Sequence, residues 1–399
     1  MLFLPSDTEY IIETLQKNGY EAFAVGGCVR DMLNGDTPHD FDITTSAEPE
    51  TVMSLFEKTV PTGIKHGTVT VIINGVPNEV TTYRTDGEYR DHRRPDSVIF
   101  VKSLREDLAR RDFTVNAMAY NKKDGLKDFF SGKQDIQNRI LRAVGEPGRR
   151  FYEDALRILR LFRFSSVLGF DIEENTLKAA LEYAPTLKSV SAERIYSELL
   201  KTLCGKNPAA LKPLTDIGGL GFLGVNTSPD YGILPLLGSA DTKLFAFLYS
   251  GGAEVTAALD FLRVPNKTKK AAQDMLTLLN MPFPKTKPEI KEMLYLTSPP
   301  SAENYFDYRS AYGKDCAAAR DMLTEIIKNG EPYRISDLKI GGRDLKKCGI
   351  SGRAIGETLE KLRRSVLKNP AQRADKSRKK RTPERKPFSL TFFCKLGIM

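Results

Sequence analysis

At 399 residues the chain is too long for a single compact core, and two to four folding units are expected. Its 41% hydrophobic and 28% charged residues exclude a disordered chain, and no apolar run approaches the length of a membrane span. The net charge of +9 does not by itself indicate nucleic-acid binding: residues 371–399 hold nine Lys and Arg against two acids, which leaves +2 for residues 1–370.

The cysteines and histidines indicate neither a disulfide framework nor a zinc site. The five cysteines are scattered without a CxxC pair, and the three histidines complete no zinc spacing with them. The N-terminal apolar stretch, MLFLP, is too short for a secretory signal. We therefore expect reduced thiols and a cytoplasmic protein that has no membrane segment.

The first 147 residues are predicted to form an α+β domain. A capping-box pattern begins at Ser6, and Gly19 follows the helix that it starts. Another helix is expected over 48–58. Four short runs favour β-strands, and Asn74-Gly75, a strong hairpin signal, joins the last two. These runs are 22–25, 41–44, 68–73 and 79–84.

After residue 148 the pattern becomes helical. Apolar residues recur at helical spacing in six segments. The segments are 153–164, 173–183, 192–203, 243–249, 271–279 and 355–367. No strand pair is predicted in this part of the chain. The last segment, from about residue 369, is basic and interrupted by prolines, so a flexible end is expected.

The most informative stretch is a glycine turn that leads into a short helix. Gly26 and Gly27 would let a triphosphate approach the backbone, and the helix N-terminus would present N–H groups to the anion. Arg30 in that helix can add a charge-assisted contact to the phosphate oxygens. A Rossmann turn is the alternative, but the spacing is not GxGxxG.

A pair of aspartates follows this turn. Asp40 and Asp42 lie two positions apart on a predicted strand, so they share a face at a separation of about 6–7 Å. Two such carboxylates suit Mg²⁺, and phosphoryl transfer by two metal ions uses this arrangement. Glu79 is the best candidate for a third carboxylate, and Asp112 is the main alternative. A DxD pattern alone is more often a solvated edge, but with the glycine turn it resembles the DNA polymerase β nucleotidyltransferase superfamily.

Arginines form the third group of candidate site residues. Arg111 could hold triphosphate oxygens, although a helix-terminal salt bridge is an equally good interpretation. On the predicted helix 153–164, four charged residues recur every three positions and therefore share one stripe, which fits a cleft that receives an anion. They are Asp154, Arg157, Arg160 and Arg163.

Asp154 and Arg157 also suggest a way to select the base of a nucleotide. Cytosine and adenine both present an amino donor beside an unprotonated ring nitrogen, so a carboxylate and a guanidinium can bind either base. Uracil and guanine present a carbonyl and a ring N–H there, and both contacts fail. A simple i, i+3 ion pair between Asp154 and Arg157 is the alternative.

Five segments in this order resemble a bacterial class II tRNA nucleotidyltransferase, that is, a CCA-adding enzyme. They cover residues 22–200 and read GGCVRDMLNGDTPHDFDITT, EVTTYRTDGEYRDHRRPD, RRDFTVNAMAY, YEDALRILRLFRF and SAERIYSEL. A weaker similarity, ISDLKIGGRDLKKCGISGRAIGETLEKL, extends to about residue 368.

This resemblance implies an enzyme that adds the 3′-terminal CCA to tRNA from CTP and ATP without a nucleic-acid template. It implies an elongated molecule with an α+β head and an all-α neck, body and tail, along which the acceptor arm and 3′ end of tRNA lie. The expected boundaries are 1–147, 148–205, 206–300 and 301–368, followed by the basic extension 369–399. The oligomeric state stays open, a homodimer included.

The resemblance also implies the roles of individual residues. Mg²⁺ would bind Asp40 and Asp42. The incoming CTP or ATP would bind Gly27, Arg30, Arg111, Asp154, Arg157, Arg160 and Arg163.

Several alternatives remain within and outside this family. Some relatives add only CC or only A, and others are poly(A) polymerases. Residues 86–96 resemble the full-length flexible loop whose loss marks CC-adding relatives, which favours complete CCA addition. A non-catalytic RNA-binding protein is disfavoured, because paired carboxylates repel phosphate.

Overall fold

The computed structural model describes residues 2–86 and 98–368. The chain divides into two compact units, one of Met1–Leu236 and Lys243–Asn266, the other of Leu237–Thr242 and Lys267–Met399. Strands lie only in the first of these among the described residues. The prediction of an α+β head followed by a helical remainder is therefore confirmed, while the finer four-part division stays a prediction.

Eleven strands occur in the described residues. In chain order they are β1 (Ala22–Val25), β2 (Ile43–Thr45), β3 (Thr59–Gly63), β4 (Thr68–Ile73), β5 (Val76–Thr82), β6 (Arg84–Asp86), β7 (Val98–Phe100), β8 (Met118–Asn121), β9 (Gly125–Asp128), β10 (Ile140–Leu141) and β11 (Asp171–Ile172). Seven of them form one mixed sheet in the order β3-β4-β5-β2-β1-β8-β9.

The α-helices occur in both units. In chain order they are α1 (Ser6–Lys17), α2 (Gly27–Asn34), α3 (Pro49–Leu55), α4 (Leu104–Ala109), α5 (Gly132–Asn138), α6 (Pro147–Glu153), α7 (Leu156–Leu168), α8 (Glu174–Glu182), α9 (Ala192–Leu203), α10 (Lys212–Asp216), α11 (Ala240–Ser250), α12 (Val255–Phe261), α13 (Asn266–Leu279), α14 (Lys287–Leu296), α15 (Pro299–Ala311), α16 (Ala317–Lys328), α17 (Gly342–Lys347) and α18 (Arg353–Lys368). In the described part of the chain, none of them combines the length and apolar character that a membrane crossing requires.

The sheet core follows from the sequence pattern. All four side chains of β1 are buried, since this strand lies between β2 and β8 in the middle of the sheet. The hairpin between β4 and β5 turns at Asn74 and Gly75, whose φ angles of 52° and 83° are those of a type I′ turn. The predicted hairpin is confirmed.

Two local predictions were wrong. The strand predicted over 41–44 begins only at Ile43, so Asp40 and Asp42 lie in the segment that leads into β2. The helix predicted over 153–164 is two helices, α6 and α7. Among the described residues after 148, the single strand is β11, and it pairs in parallel with β10, which lies before that position.

The second unit has its own small core. Leu345 of α17 and Leu362 of α18 are both buried and pack together. Arg363 is also buried: it forms ion pairs with Glu292 at 2.8 Å and Glu360 at 2.7 Å, and its guanidinium lies 3.6 Å from the centroid of the Tyr295 ring. This arginine therefore joins α18 to α14.

Candidate active site

One cleft of the first unit, with a volume of about 620 Å³, brings together almost all of the predicted site residues. Asp40 is the single predicted residue that is not part of its lining. The nine that line it are Gly27, Arg30, Asp42, Glu79, Arg111, Asp154, Arg157, Arg160 and Arg163. Residues that are up to 136 positions apart in sequence thus face one space, as a substrate site requires.

Two of the candidate metal-binding carboxylates lie side by side because of the strand register. β2 runs parallel to β5 with Ile43 opposite Val80, so Asp42 and Glu79, one residue earlier on each chain segment, are neighbours on the same face. Asp42 is exposed, but neighbouring protein atoms remove part of the water around its carboxylate, and this desolvation raises its pKa above the ordinary value; the negative charges of Glu79 and Asp40 raise the pKa further, and Arg111 opposes them. The negative charges of Glu79 and Asp40 therefore disfavour the charged form of Asp42.

This arrangement fits a divalent cation. Among the described residues, no three or more acidic, histidine or cysteine side chains form a closed metal-binding group. Mg²⁺ does not need such a group, since it usually retains water molecules and binds substrate phosphates alongside one or two carboxylates. Mutual repulsion between carboxylates at an open cleft is relieved when a cation binds them.

Asp112, the alternative third carboxylate, is already engaged. It is buried and accepts hydrogen bonds from Arg160 Nε at 2.8 Å and Nη2 at 2.6 Å, and from Asn116 Nδ2 at 3.1 Å. Burial alone would raise the pKa of Asp112, but Arg160 and Asn116 outweigh it and hold the pKa at about 2. These contacts favour Glu79 over Asp112 as the third carboxylate.

The glycine turn lies between β1 and α2, and its critical residue is Gly26. Its φ of 80° is in the region that favours glycine, and a Cβ at this position would lie 2.8 Å from Nη1 of Arg111. A Cβ at Gly27 would meet only Arg30, at an ordinary 3.7 Å. Gly26 thus lets Arg111 lie directly against the backbone at the N-terminus of α2.

Three arginines gather around the ring of Phe164. The guanidinium carbons lie 5.3 Å (Arg30), 5.4 Å (Arg160) and 3.9 Å (Arg163) from its centroid. Arg30 is also held by Asp31, at 2.7 Å from Nη2, and by Asn116, at 2.6 Å from Nη1. An aromatic face stabilises such cations and fixes their positions.

Asp154 does not share a helical stripe with the arginines of α7. It has an extended backbone, with φ −142° and ψ 103°, between the end of α6 and the start of α7. Its Oδ1 accepts from the backbone N–H of Leu156 at 3.0 Å, and its Oδ2 accepts from Nη2 of Arg194 at 2.7 Å. Aspartate competes in this way with helix continuation, which explains the break.

Arg157 lies in the first turn of α7 and is buried. Its Nη1 donates to Glu153 at 2.7 Å, and its Nη2 donates to the carbonyl of Arg110 at 2.9 Å. Glu153 was not among the residues predicted for the site, although its i, i+4 spacing to Arg157 is a recognised ion-pair pattern. Arg194 was not predicted either, because no local pattern relates it to Asp154, which is 40 positions earlier in the chain.

Comparison with known proteins identifies the family of the chain. The family model described as "Poly A polymerase head domain" matches residues 22–142, and "Probable RNA and SrmB- binding site of polymerase A" matches residues 169–219. A CCA-adding enzyme of Limosilactobacillus reuteri is 50% identical over 200 residues, which is half of this chain and half of that enzyme.

Two further relatives cover most of the chain. A CCA-adding enzyme of a Geobacillus species is 38% identical over 379 residues, 90% of this chain and 91% of that enzyme. The crystal structure of the Bacillus stearothermophilus CCA-adding enzyme in complex with CTP is 34% identical, with a TM-score of 0.78 over 92% of this chain and 94% of that one. The chain therefore belongs to the family of the CCA-adding enzymes, which are class II nucleotidyltransferases.

Proposed function

We propose that this protein adds or repairs the 3′-terminal CCA of tRNA, with CTP and ATP as substrates and without a nucleic-acid template, in the cytoplasm. The observation that carries the proposal is the cleft that Asp42 and Glu79 line together with a glycine turn, a helix N-terminus and a set of buried and half-buried arginines. The names of the relatives, and the CTP bound to one of them, support the same activity.

The carboxylates would hold the metal. Enzymes of this family generally use a divalent metal ion, and the hard oxygen ligands of Asp40 and Asp42 suit Mg²⁺, with Glu79 as the third carboxylate. When bound, Mg²⁺ lowers the pKa of the RNA 3′-hydroxyl and neutralises charge on the triphosphate. The 3′-oxygen then bonds to the α-phosphorus while the bond to the bridging oxygen breaks, and pyrophosphate leaves.

The triphosphate would lie against the glycine turn. The N-terminus of α2, which begins at Gly27, offers backbone N–H groups to an anion. Arg30 and Arg111 line the same part of the cleft and add positive charge. Arg160 pairs with Asp112 at 2.6 Å, and Arg163 pairs with Glu198 at 2.7 Å. These two arginines would lie nearer to the phosphates and the RNA end than to the base.

Base selection would depend on Asp154 and Arg157. The carboxylate accepts from the amino group of cytosine or adenine, and the guanidinium donates to the adjacent ring nitrogen. Both side chains are held in place by the protein, Asp154 by Arg194 and Arg157 by Glu153. A fixed pair of this kind accepts C and A and leaves polar groups unpaired against U and G, which gives strong discrimination.

The alternatives within the family are CC-only addition, A-only addition and poly(A) synthesis. The loop that favours complete CCA addition, 86–96, lies almost entirely outside the described residues, so this part of the proposal depends on the sequence. The distinguishing experiment incubates the protein with Mg²⁺, one nucleotide at a time, and tRNA ending before CCA or after CC, and resolves products to one nucleotide.

We expect CTP alone to add two residues to the shorter tRNA, and ATP alone to add one residue to the tRNA that ends in CC. UTP and GTP should give little product, and EDTA should abolish all transfer. Addition of many A residues would instead identify a poly(A) polymerase. Failure of either nucleotide on its own substrate would identify a partial enzyme.

A further inference from the structure

Asp107 is a buried carboxylate next to the cleft that has no role in the proposed chemistry so far. It lies in α4, its side chain has no exposed surface, and it does not line the cleft. A buried charge is costly unless it is paired and hydrogen-bonded, so its contacts indicate why it is present.

Its contacts extend to three different parts of the site. Oδ1 pairs with Nη2 of Arg110 at 3.0 Å, and Oδ2 lies 3.6 Å from Nη2 of Arg111. Oδ2 also accepts from Oγ1 of Thr44 at 3.2 Å, and Oδ1 accepts from the backbone N–H of Arg84 at 3.3 Å. Burial alone would raise the pKa of Asp107, but the two arginines outweigh it and lower the pKa, so the carboxylate is charged.

Thr44 connects Asp107 to β2, which follows Asp42 directly, and to β5, which contains Glu79. It follows Asp42 by two residues, and it pairs in the sheet with Thr81, which follows Glu79 by two residues. Its Oγ1 lies 3.3 Å from the carbonyl oxygen of Thr81 as well as 3.2 Å from Asp107. Alternate residues of a strand share a face, so these threonines lie on the same sheet face as Asp42 and Glu79.

Arg111 forms an ion pair with Asp107. Within the described residues, Asp107 provides the ion-pair contact of Arg111, and Nε of Arg111 is buried without a hydrogen-bond partner. Burial lowers the pKa of Arg111, and Asp107 is the largest influence that opposes this. The guanidinium is thus held from one side and retains donor capacity for an anion in the cleft.

We propose that Asp107 is a positioning residue for nucleotide binding: it holds Arg111 toward the triphosphate and fixes the distance of this arginine from β2 and β5, and so from Asp42 and Glu79. This inference rests on the proposed function, since it assumes that Arg111 binds the triphosphate. Loss of the carboxylate charge would leave Arg110 and Arg111 close together without their shared counter-charge. Arg111 would then move, and triphosphate affinity would fall.

The test measures binding by calorimetry on the full chain, with CTP and with inorganic tripolyphosphate, each with Mg²⁺. Asp107→Asn keeps the shape of the side chain and removes its charge. Thr44→Val is nearly isosteric and breaks only the link to the strands, which provides a second variant if Asp107→Asn does not fold. Asp274→Asn is the matched control, because Asp274 is a buried aspartate of the second unit, paired with Lys270 at 2.8 Å.

We expect Asp107→Asn to raise the Kd of both ligands about tenfold and Thr44→Val to raise it about threefold. The melting temperature of each variant is measured separately as a readout of stability. The Asp274→Asn control should bind both ligands like the unmodified chain even where its melting temperature falls. In an Arg111→Ala background, Asp107→Asn should have no further effect on Kd, because it acts through that arginine.

Two results would overturn the inference. One is that folded Asp107→Asn binds tripolyphosphate with a Kd within twofold of the Kd of the unmodified chain. If Asp107→Asn does not fold, the same result in Thr44→Val overturns the inference. The other is a further tenfold rise in Kd when Asp107→Asn is added to Arg111→Ala. Failure of the unmodified chain to extend tRNA would contradict the proposed function instead, and the binding measurements would still decide the role of Asp107.

Discussion

The guanidinium of Arg157 in α7 donates a hydrogen bond of 2.7 Å to the carboxylate of Glu153, the last residue of α6 and four residues earlier in the chain. The other oxygen of that carboxylate accepts from Arg150 at 2.6 Å, and all three side chains are buried. Charge-assisted contacts of this kind in a buried setting fix the orientation of a guanidinium. The proposed base-reading arginine is therefore in position before a nucleotide binds.

Replacement of Glu153 should accordingly impair base selection, because Glu153 acts on the base through Arg157 and not by direct contact. In Glu153→Gln we expect kcat/KM for CTP and ATP to fall about tenfold, since a hydrogen bond to a charged group contributes on the order of 1.5–3 kcal/mol. UTP and GTP should be less affected. Arg149→Ala is the control: Arg149 also contacts Glu153, at 3.2 Å, but its side chain is 74% exposed, so little change is expected. Equal losses for all four nucleotides in Glu153→Gln would contradict this role.

Direct removal of the base-reading groups gives a sharper prediction. Asp154→Ala loses the acceptor for the amino group, and Arg157→Ala loses the donor to the ring nitrogen. Each should lower kcat/KM for CTP and ATP by roughly one to two orders of magnitude, with a much smaller effect on UTP and GTP. Arg160→Ala and Arg163→Ala should slow all four nucleotides alike. An equal loss of kcat/KM for all four nucleotides in the Asp154 and Arg157 variants would show that these two residues form structural ion pairs and do not select the base.

The carboxylates should be needed for transfer and dispensable for folding. Asp40→Ala and Asp42→Ala should abolish nucleotide addition, because the metal loses its protein ligands, while the melting temperature and tRNA binding are retained. Both residues are exposed, so their removal leaves no cavity. Asp36→Ala, another exposed aspartate shortly before them, should keep full activity. Near-normal turnover in either of the first two variants would refute the metal assignment.

Gly26 and Gly35 both have a positive φ, 80° and 84°, but their ψ angles are −124° and 9°, so an alanine would be more strained at Gly26 than in the left-handed conformation of Gly35. A Cβ at Gly35 would meet nothing within 4 Å, whereas at Gly26 it would lie 2.8 Å from Arg111. Gly35→Ala should cost about 1–2 kcal/mol of stability and leave nucleotide KM unchanged. Gly26→Ala should also raise KM for both CTP and ATP. An unchanged KM in folded Gly26→Ala would show that Arg111 does not depend on this close approach.

The sequence was most informative where the chemistry is local. The type I′ hairpin at Asn74-Gly75 follows from two adjacent residues, and the glycine turn with Arg30 follows from a single strand–turn–helix segment. The choice between Glu79 and Asp112 could not be made in this way. It depends on the parallel register of β2 and β5 and on Arg160, which is 48 residues away from Asp112.

The break at Asp154 shows why the arginine helix was mispredicted. The apolar pattern over 153–164 continues across the break, so periodicity alone predicts one helix. The carboxylate of Asp154 accepts from the backbone N–H of Leu156, the first residue of α7, and from Arg194, and that second contact is a product of tertiary structure. The same applies to Asp107, whose partners come from β2, the start of β6 and the end of α4.

The most direct test of the proposed function is the length of the product from one tRNA that lacks CCA, incubated with the unmodified protein, Mg²⁺, CTP and ATP together. Sequencing gel resolution of one nucleotide is sufficient. We expect a single product that is longer by three residues, with the sequence C, C, A, and no further extension with time. A product that stops at CC, a ladder of added A residues, or no extension would contradict complete CCA addition.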